Sequence, residues 1–204
     1  MREILQELRV YAEENKVPII KDEALDVLIN VCKEKQPQYI LEIGTAIGYS
    51  VLTMLNNIDV EAKVISLEID EERAAIAGNS IAKAGLSDRV KVLVGDAGKI
   101  LLELQKMNEK FDLVFIDAAK AQYMDYLTKV IPMLADGSVV IADNVLFRGY
   151  VEGIEETPRR FRTIVRRLRE YINIVTNSSS SFETTIYKDA DGIAVSHYRG
   201  CKNE

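Results

Sequence analysis

The stretch Leu41-Glu42-Ile43-Gly44-Thr45-Ala46-Ile47-Gly48-Tyr49-Ser50 decides the fold. A short apolar run leads into a glycine-containing turn and then into residues with helical spacing. Gly44 lets the backbone bend sharply, and Gly48 is expected to let a ligand approach closely. A helix beginning there points free N–H groups at an anion, such as the carboxylate of an amino-acid moiety. The glycines are spaced G-x-x-x-G, so the G-x-G-x-x-G pattern of a pyrophosphate-binding dinucleotide site is not met.

Outward from this stretch, β-rich runs at Tyr39–Ile43, Val64–Glu68, Val90–Val94, Leu113–Asp117 and Ser138–Ala142 alternate with helical segments. That alternation predicts a parallel sheet with helices on both faces. Asp70 is placed to cap one helix, with Glu71 and Glu72 in its first turn and Gly85 as its left-handed end. Pro132 marks another helix end, and Asp136-Gly137 is expected to turn the chain into the fifth strand. Glu183–Tyr187 and Ile193–Tyr198 flank Asp189-Ala190-Asp191-Gly192, the pattern of an antiparallel hairpin. The expected organisation is one α/β domain over residues 1–204. Helices over 1–35 pack on the sheet's edge or face, and the core spans 36–204.

Composition narrows the function. A chain of 204 residues with 48% hydrophobic and 28% charged residues suits one soluble domain. No apolar run approaches the roughly 20 residues that cross a bilayer, and the amphipathic N-terminus lacks a signal peptide's features. Cys32 and Cys201 form no disulfide framework and no metal-ligand spacing, which predicts a cytoplasmic protein without a membrane partner. The single histidine, His197, excludes a multi-histidine zinc site and is expected to be structural, in a strand. The net charge of −6 argues against bulk nucleic-acid binding while leaving room for a local basic patch.

Candidate ligand-binding residues fall at strand ends, where open α/β sheets bind ligands. Glu68 ends the second strand and can accept hydrogen bonds from two ribose hydroxyls. Asp96, just after the third, can accept from an adenine amino group or cap the next helix. Asp117 ends the fourth strand, and Asp143 and Asn144 the fifth. Neighbouring parallel strands stand about 4.8 Å apart, so these three oxygen donors can converge on a hard ion such as Mg²⁺. Two acids at adjacent strand ends repel one another unless a cation lies between them. Lys120 lies three residues beyond Asp117. A cation beside it would favour its neutral amine, suiting it as general base for a hydroxyl that the metal also holds.

The segments LEIGTAIGYS, ISLEID, VGDA, FIDAAKAQY and IADNV together resemble the metal-dependent O-methyltransferase family of catechol and caffeoyl-coenzyme A enzymes. The resemblance covers about Tyr39 to Val145, and the hairpin extends it to Tyr198. It implies a Rossmann-like class I methyltransferase fold, a seven-stranded, mostly parallel sheet with an antiparallel C-terminal hairpin. It also implies S-adenosylmethionine as methyl donor, Mg²⁺ as cofactor and a homodimer. By position, Ile20, Glu42, Gly44, Ser50, Glu68, Asp96, Ala97 and Asp117 would line the cofactor. Asp117, Asp143 and Asn144 would hold the metal, with Lys120 as base. Ala118 and Ala119 stand where catechol enzymes carry bulky histidine and tryptophan, and Thr184-Thr185 where they carry a glutamate. A roomier site than a catechol's is implied.

Within the family, YAEENKVPII, ILEIGTAIGYS and RRFRTIVRRLREY resemble the bacterial enzymes that methylate 5-hydroxyuridine at the tRNA wobble position. That resemblance implies the tRNA anticodon region as partner. The arginine-rich segment is expected to form an amphipathic helix, capped by Thr157 with Pro158 in its first turn. Phe161, Ile164, Val165, Leu168 and Ile172 would make its apolar face. Arg159, Arg160, Arg162, Arg166, Arg167 and Arg169 would face phosphate, or else be solvated and paired to Glu155, Glu156 and Glu170. A small-phenol methyltransferase and a non-catalytic binding module are the competing readings.

Overall fold

The computed structural model describes residues 1–200, so the expectation for Cys201 lies outside the described residues. The chain divides into two compact units, Met1–Ile100 and Leu101–Glu204.

The first unit opens with helices α1 (Arg2–Asn15) and α2 (Asp22–Lys35), followed by strand β1 (Tyr39–Ile43) and helix α3 (Tyr49–Asn56). Strand β2 (Lys63–Glu68), helix α4 (Glu71–Lys83) and strand β3 (Val90–Val94) follow, and α5 (Ala97–Gln105) leads out. Strand β2 lies between β1 and β3, parallel to both, with Ile43 beside Leu67 and Glu68 beside Val94. Residues 49–55 of α3 are all buried, because α1 and α2 both pack on it. The two N-terminal helices thus reach the core through a helix.

Helix α4 follows its sequence signals. The Asp70 carboxylate accepts from the Glu72 and Arg73 N–H groups at 3.0 Å each, and Gly85 follows its last turn with φ +69°.

In the second unit, β4 (Phe111–Ile116) runs parallel to β5 (Leu134–Ala142). Strand β7 (Ile193–Tyr198) runs antiparallel to both β5 and β6 (Phe182–Tyr187), which gives the order β4-β5-β7-β6. Helix α6 (Tyr123–Val130) ends at the 3-10 turn holding Pro132, as expected. Asp136-Gly137 differs from expectation. These residues lie inside β5, where the pairing jumps from Phe111–Leu134 to Leu113–Val139. Gly137, at φ +72°, permits this bulge, so the pair kinks the strand and does not precede it.

Helix α7 (Arg162–Thr176) is amphipathic, but its buried face is Val165, Leu168, Tyr171 and Val175. Thr157 makes no cap. Pro158 precedes a separate 3-10 turn at Arg159–Phe161, which sets the helix start at Arg162. Helix α7 packs on α6, on β6 and on the 3-10 turn Lys120–Gln122. Each large apolar side chain buried there contributes about 1.5–3 kcal/mol. His197 is exposed on β7. Among the described residues, no helix is long and apolar enough to cross a membrane.

Candidate active site

In the first unit, the turn after β1 is tied to the end of β2. The Gly44 and Thr45 N–H groups both donate to the Leu67 carbonyl, at 2.9 and 3.1 Å. The Ala46 N–H donates to Glu68 Oε2 at 2.7 Å, while Oε1 accepts from the Ile69 and Asp70 N–H groups at 2.9 and 3.0 Å. Glu68 is therefore held by three backbone donors as it borders the glycine turn. Gly44 takes φ +106°, a conformation few other residues adopt.

Gly48 has a packing reason that the sequence reading did not give. At φ +87° it starts α3, and a Cβ there would stand 3.2 Å from Cα and Cβ of Ala77. The close approach it permits is that of helix α4. No side chain caps α3, which leaves the first N–H groups of the helix for a ligand.

Glu42 is fully buried and works as a support. It accepts from Ser50 Oγ at 2.5 Å on one oxygen and from Ser66 Oγ on the other, fixing the start of α3 to the sheet. Asp96 caps α5, accepting the Lys99 N–H on Oδ1 at 2.9 Å, and Ala97 begins that helix. Ile20 is buried in the α1–α2 connection. Arg9, which the sequence reading missed, donates to Tyr49 Oη at 2.6 Å, lies over the Tyr49 ring and pairs with Asp22. Those two partners hold its guanidinium charged by raising its pKa. The oriented Glu68, the uncapped α3 and the cap at Asp96 fit a ligand that combines an amino-acid carboxylate, a ribose and an adenine.

In the second unit, the ends of β4 and β5 bring Asp117, Asp143 and Asn144 together with Lys120. The Asp143 N–H donates to the Ile116 carbonyl at 3.0 Å, and Asp143 Oδ1 accepts its neighbour's Asn144 N–H at 2.7 Å. Lys120 Nζ lies 3.9 Å from Asp117 Oδ1. Asp143 is 2% exposed. Burial first, and the Asp117 charge second, push its carboxyl up to about 7. Burial also raises Asp117, against the pull of Lys120. Two carboxyl groups thus lie within the field of one ammonium, and Asn144 follows Asp143 directly in the chain. Among the described residues no group of three or more His, Cys, Asp or Glu residues is placed to hold a metal ion. The donor set fits a small oxygen-seeking cation, which would relieve the repulsion.

Tyr123 was also missed. It is fully buried, and its hydroxyl donates to the Asp143 carbonyl at 2.9 Å. Its ring meets that of Tyr171 on α7 edge-on, with centroids 5.9 Å apart. Its position three residues after Lys120 was a usable signal, since both lie in one segment after β4.

The six arginines divide into two groups. Arg166 and Arg167 each pair with Glu170 at 2.9 Å, and Arg169 donates to the Val151 and Tyr150 carbonyls. Arg159 and Arg162 are exposed and unpaired among the described residues, and Arg160 lies 4.6 Å from the Phe161 ring centroid. Thr184 is occupied structurally, its hydroxyl reaching the Val175 carbonyl and Ser196 Oγ.

Known proteins share this architecture. The family described as O-methyltransferase matches residues 1–196. A catechol O-methyltransferase of Niastella koreensis is 32% identical over 177 residues, covering 84% of this chain and 76% of its own. A Staphylococcus aureus structure assigned to the caffeoyl-CoA O-methyltransferases superposes with a TM-score of 0.84 at 31% identity, covering 95% of this chain and 91% of that one. The O-methyltransferase TomG of Streptomyces achromogenes, solved with SAM, gives a TM-score of 0.86 at 26% identity, covering 97% and 90%. These likenesses give the fold as Rossmann-like, with seven strands, mostly parallel and ending in an antiparallel hairpin. The chain belongs to the O-methyltransferase family, the class I S-adenosylmethionine-dependent group that includes the catechol and caffeoyl-coenzyme A enzymes.

Proposed function

We propose that this protein is an S-adenosylmethionine- and Mg²⁺-dependent O-methyltransferase whose substrate is 5-hydroxyuridine at the tRNA wobble position. The observation that carries the chemistry is the buried Asp143 beside Asp117, with Lys120 at 3.9 Å from the latter and Asn144 adjoining. When bound, the metal would favour the substrate's oxyanion and S-adenosylmethionine would supply the methyl group. Glu68 would hold the ribose, Asp96 the adenine through its second oxygen, and the α3 N-terminus the amino-acid carboxylate. Asp117, Asp143 and Asn144 would hold the metal, and Lys120 Nζ would take the hydroxyl proton. Much of the catalysis would come from positioning and from charge stabilisation.

The 5-hydroxyl of the uridine stands beside a carbonyl oxygen and can chelate a cation as a catechol does. The flipped base needs more room than a catechol, in keeping with Ala118 and Ala119 after Asp117. Arg159, Arg160 and Arg162 supply exposed cations for phosphate, a smaller set than the six first considered. The reading includes a homodimer in the cytoplasm, with sedimentation as the check on assembly.

A second reading, methylation of small catechols, is favoured by the name of the Niastella koreensis relative. Labelled S-adenosylmethionine, Mg²⁺ and tRNA carrying 5-hydroxyuridine, run beside a catechol panel with chelator controls, separate the two. Label in tRNA that chelator abolishes supports the first. Label in catechols alone sinks it.

A further inference from the structure

We propose that the turn between β6 and β7 positions the loop that carries Asn144, with Asp191 as its positioning residue. The proposal rests on the reading of Asn144 as a metal ligand.

The loop after β5 holds an improbable run of backbone conformations. Asn144, Phe147 and Arg148 all have positive φ, at +54°, +44° and +59°. A lone Asn tolerates this region, but Phe and Arg rarely adopt it, and a loop left to itself would relax.

What holds the loop is the turn at Asp189–Gly192. The Val145 N–H donates to the Gly192 carbonyl at 2.9 Å, and the Leu146 N–H to the Asp191 carbonyl at 3.0 Å. The Arg148 N–H donates to the Asp191 side-chain oxygen Oδ1. Three of the four N–H groups that follow Asn144 are thus fastened to two residues of the turn. Lys188 adds an ion pair to Glu152 at 2.7 Å. The fit leaves no slack, because a Cβ on Gly192 would stand 2.3 Å from Leu146 Cγ. Asp191 itself takes φ +77°, so the turn is shaped to present both its carbonyl and its carboxylate to the loop.

The hairpin lies some 45 residues downstream of Asn144 in sequence, which is why no local motif reveals the link. Outer residues that orient metal ligands typically alter metal affinity 10–100-fold when removed. Asp191 does so through the backbone of the ligand-bearing loop. Its charge also acts on Asp143, so charge and hydrogen bond must be separated.

Two substitutions do this, since both Asn and Gly accept positive φ. Asp191→Asn keeps an acceptor oxygen and loses the charge, whereas Asp191→Gly loses both. Circular dichroism first establishes that each variant is folded. Mg²⁺ affinity is then measured by calorimetry, and amide hydrogen exchange over residues 145–148 is read in the metal-free protein.

The expected result for Asp191→Gly is a Mg²⁺ affinity lower by about tenfold or more, with faster exchange confined to that loop. Asp191→Asn should stay close to the parent protein in both. Should Asp191→Gly bind Mg²⁺ normally and exchange at the parent rate, the positioning role is overturned while the metal reading stands. Should both variants lose affinity equally with exchange unchanged, charge is the cause and the role is again overturned. Parent protein that takes up no Mg²⁺ overturns the metal reading and the role in metal binding together.

Discussion

The Tyr123 hydroxyl donates to the main-chain carbonyl of Asp143 at 2.9 Å, from a position without solvent access. The same hydroxyl lies 3.3 Å from the Ile116 carbonyl, so one side chain spans the ends of β4 and β5, where the two acids sit. Tyr123→Phe deletes the donor and leaves a buried carbonyl short of a partner. Urea unfolding should show a loss of about 1–3 kcal/mol, and Mg²⁺ affinity should drop with it. An unchanged unfolding midpoint would mean that the hydroxyl does not hold the strand ends.

Asp143 gives the proposed metal site a pH dependence of definite sign. Its carboxyl is raised from 3.8 to about 7, so between those values the folded protein keeps a proton that the unfolded chain releases. In chelator, the stability due to this group is present below about pH 4 and is lost as pH rises through about 7. Mg²⁺ needs the deprotonated carboxylate, so its binding follows the opposite course. The rise in thermal midpoint on adding Mg²⁺ should be larger at pH 8 than at pH 6. Equal rises at both pH values would refute the assignment of Asp143 as a ligand.

Glu68→Gln looks conservative and is expected not to be. Oε2 accepts from Ala46 and Oε1 from Ile69 and Asp70, so either orientation of an amide turns an NH₂ group toward backbone donors. The glycine turn should loosen. Calorimetry should show affinity for S-adenosylmethionine reduced by about tenfold or more, the scale of one lost charge-assisted hydrogen bond.

Gly48→Ala tests a packing explanation. The new methyl meets Ala77 at 3.2 Å on a backbone with φ +87°, and both effects oppose it. A loss of about 1–3 kcal/mol in chemical denaturation is expected. An unchanged denaturation midpoint would show that neither the Ala77 contact nor the φ opposes a side chain there.

The sheet and most of the candidate site were legible because their signals are local. Glu68, Asp117 and Asp143 each follow an apolar run, and a strand end is readable from the run before it. Asp70 and Gly85 bounded α4 for the same reason. Asp136-Gly137 misled because a bulge and a turn use the same residues, and only the pairing of Phe111 with Leu134 and Leu113 with Val139 tells them apart. The packing role of Gly48 was not legible because its neighbour, Ala77, lies 29 residues away in sequence, beyond any local pattern. The arginines were legible as a charge run but not as individuals. Glu170 and two carbonyls engage three of them, and that depends on how α7 is turned. Asp191 acts on main-chain atoms, which carry no sequence signature, and Tyr123 was marked only by its place three residues after Lys120.

Arg9 also bears on how a bound molecule would leave. It grips Asp22, at the start of α2, and Tyr49, the first residue of α3. The connection that holds Ile20 is therefore anchored on both sides by one guanidinium, like a cord tied off at each end. The Asp22 half of that tie is exposed, so it steadies the connection without locking either helix. On the proposed reading that Ile20 lines the cofactor, the ease of release would depend on the stiffness of the short span 16–21, to which Pro18 contributes.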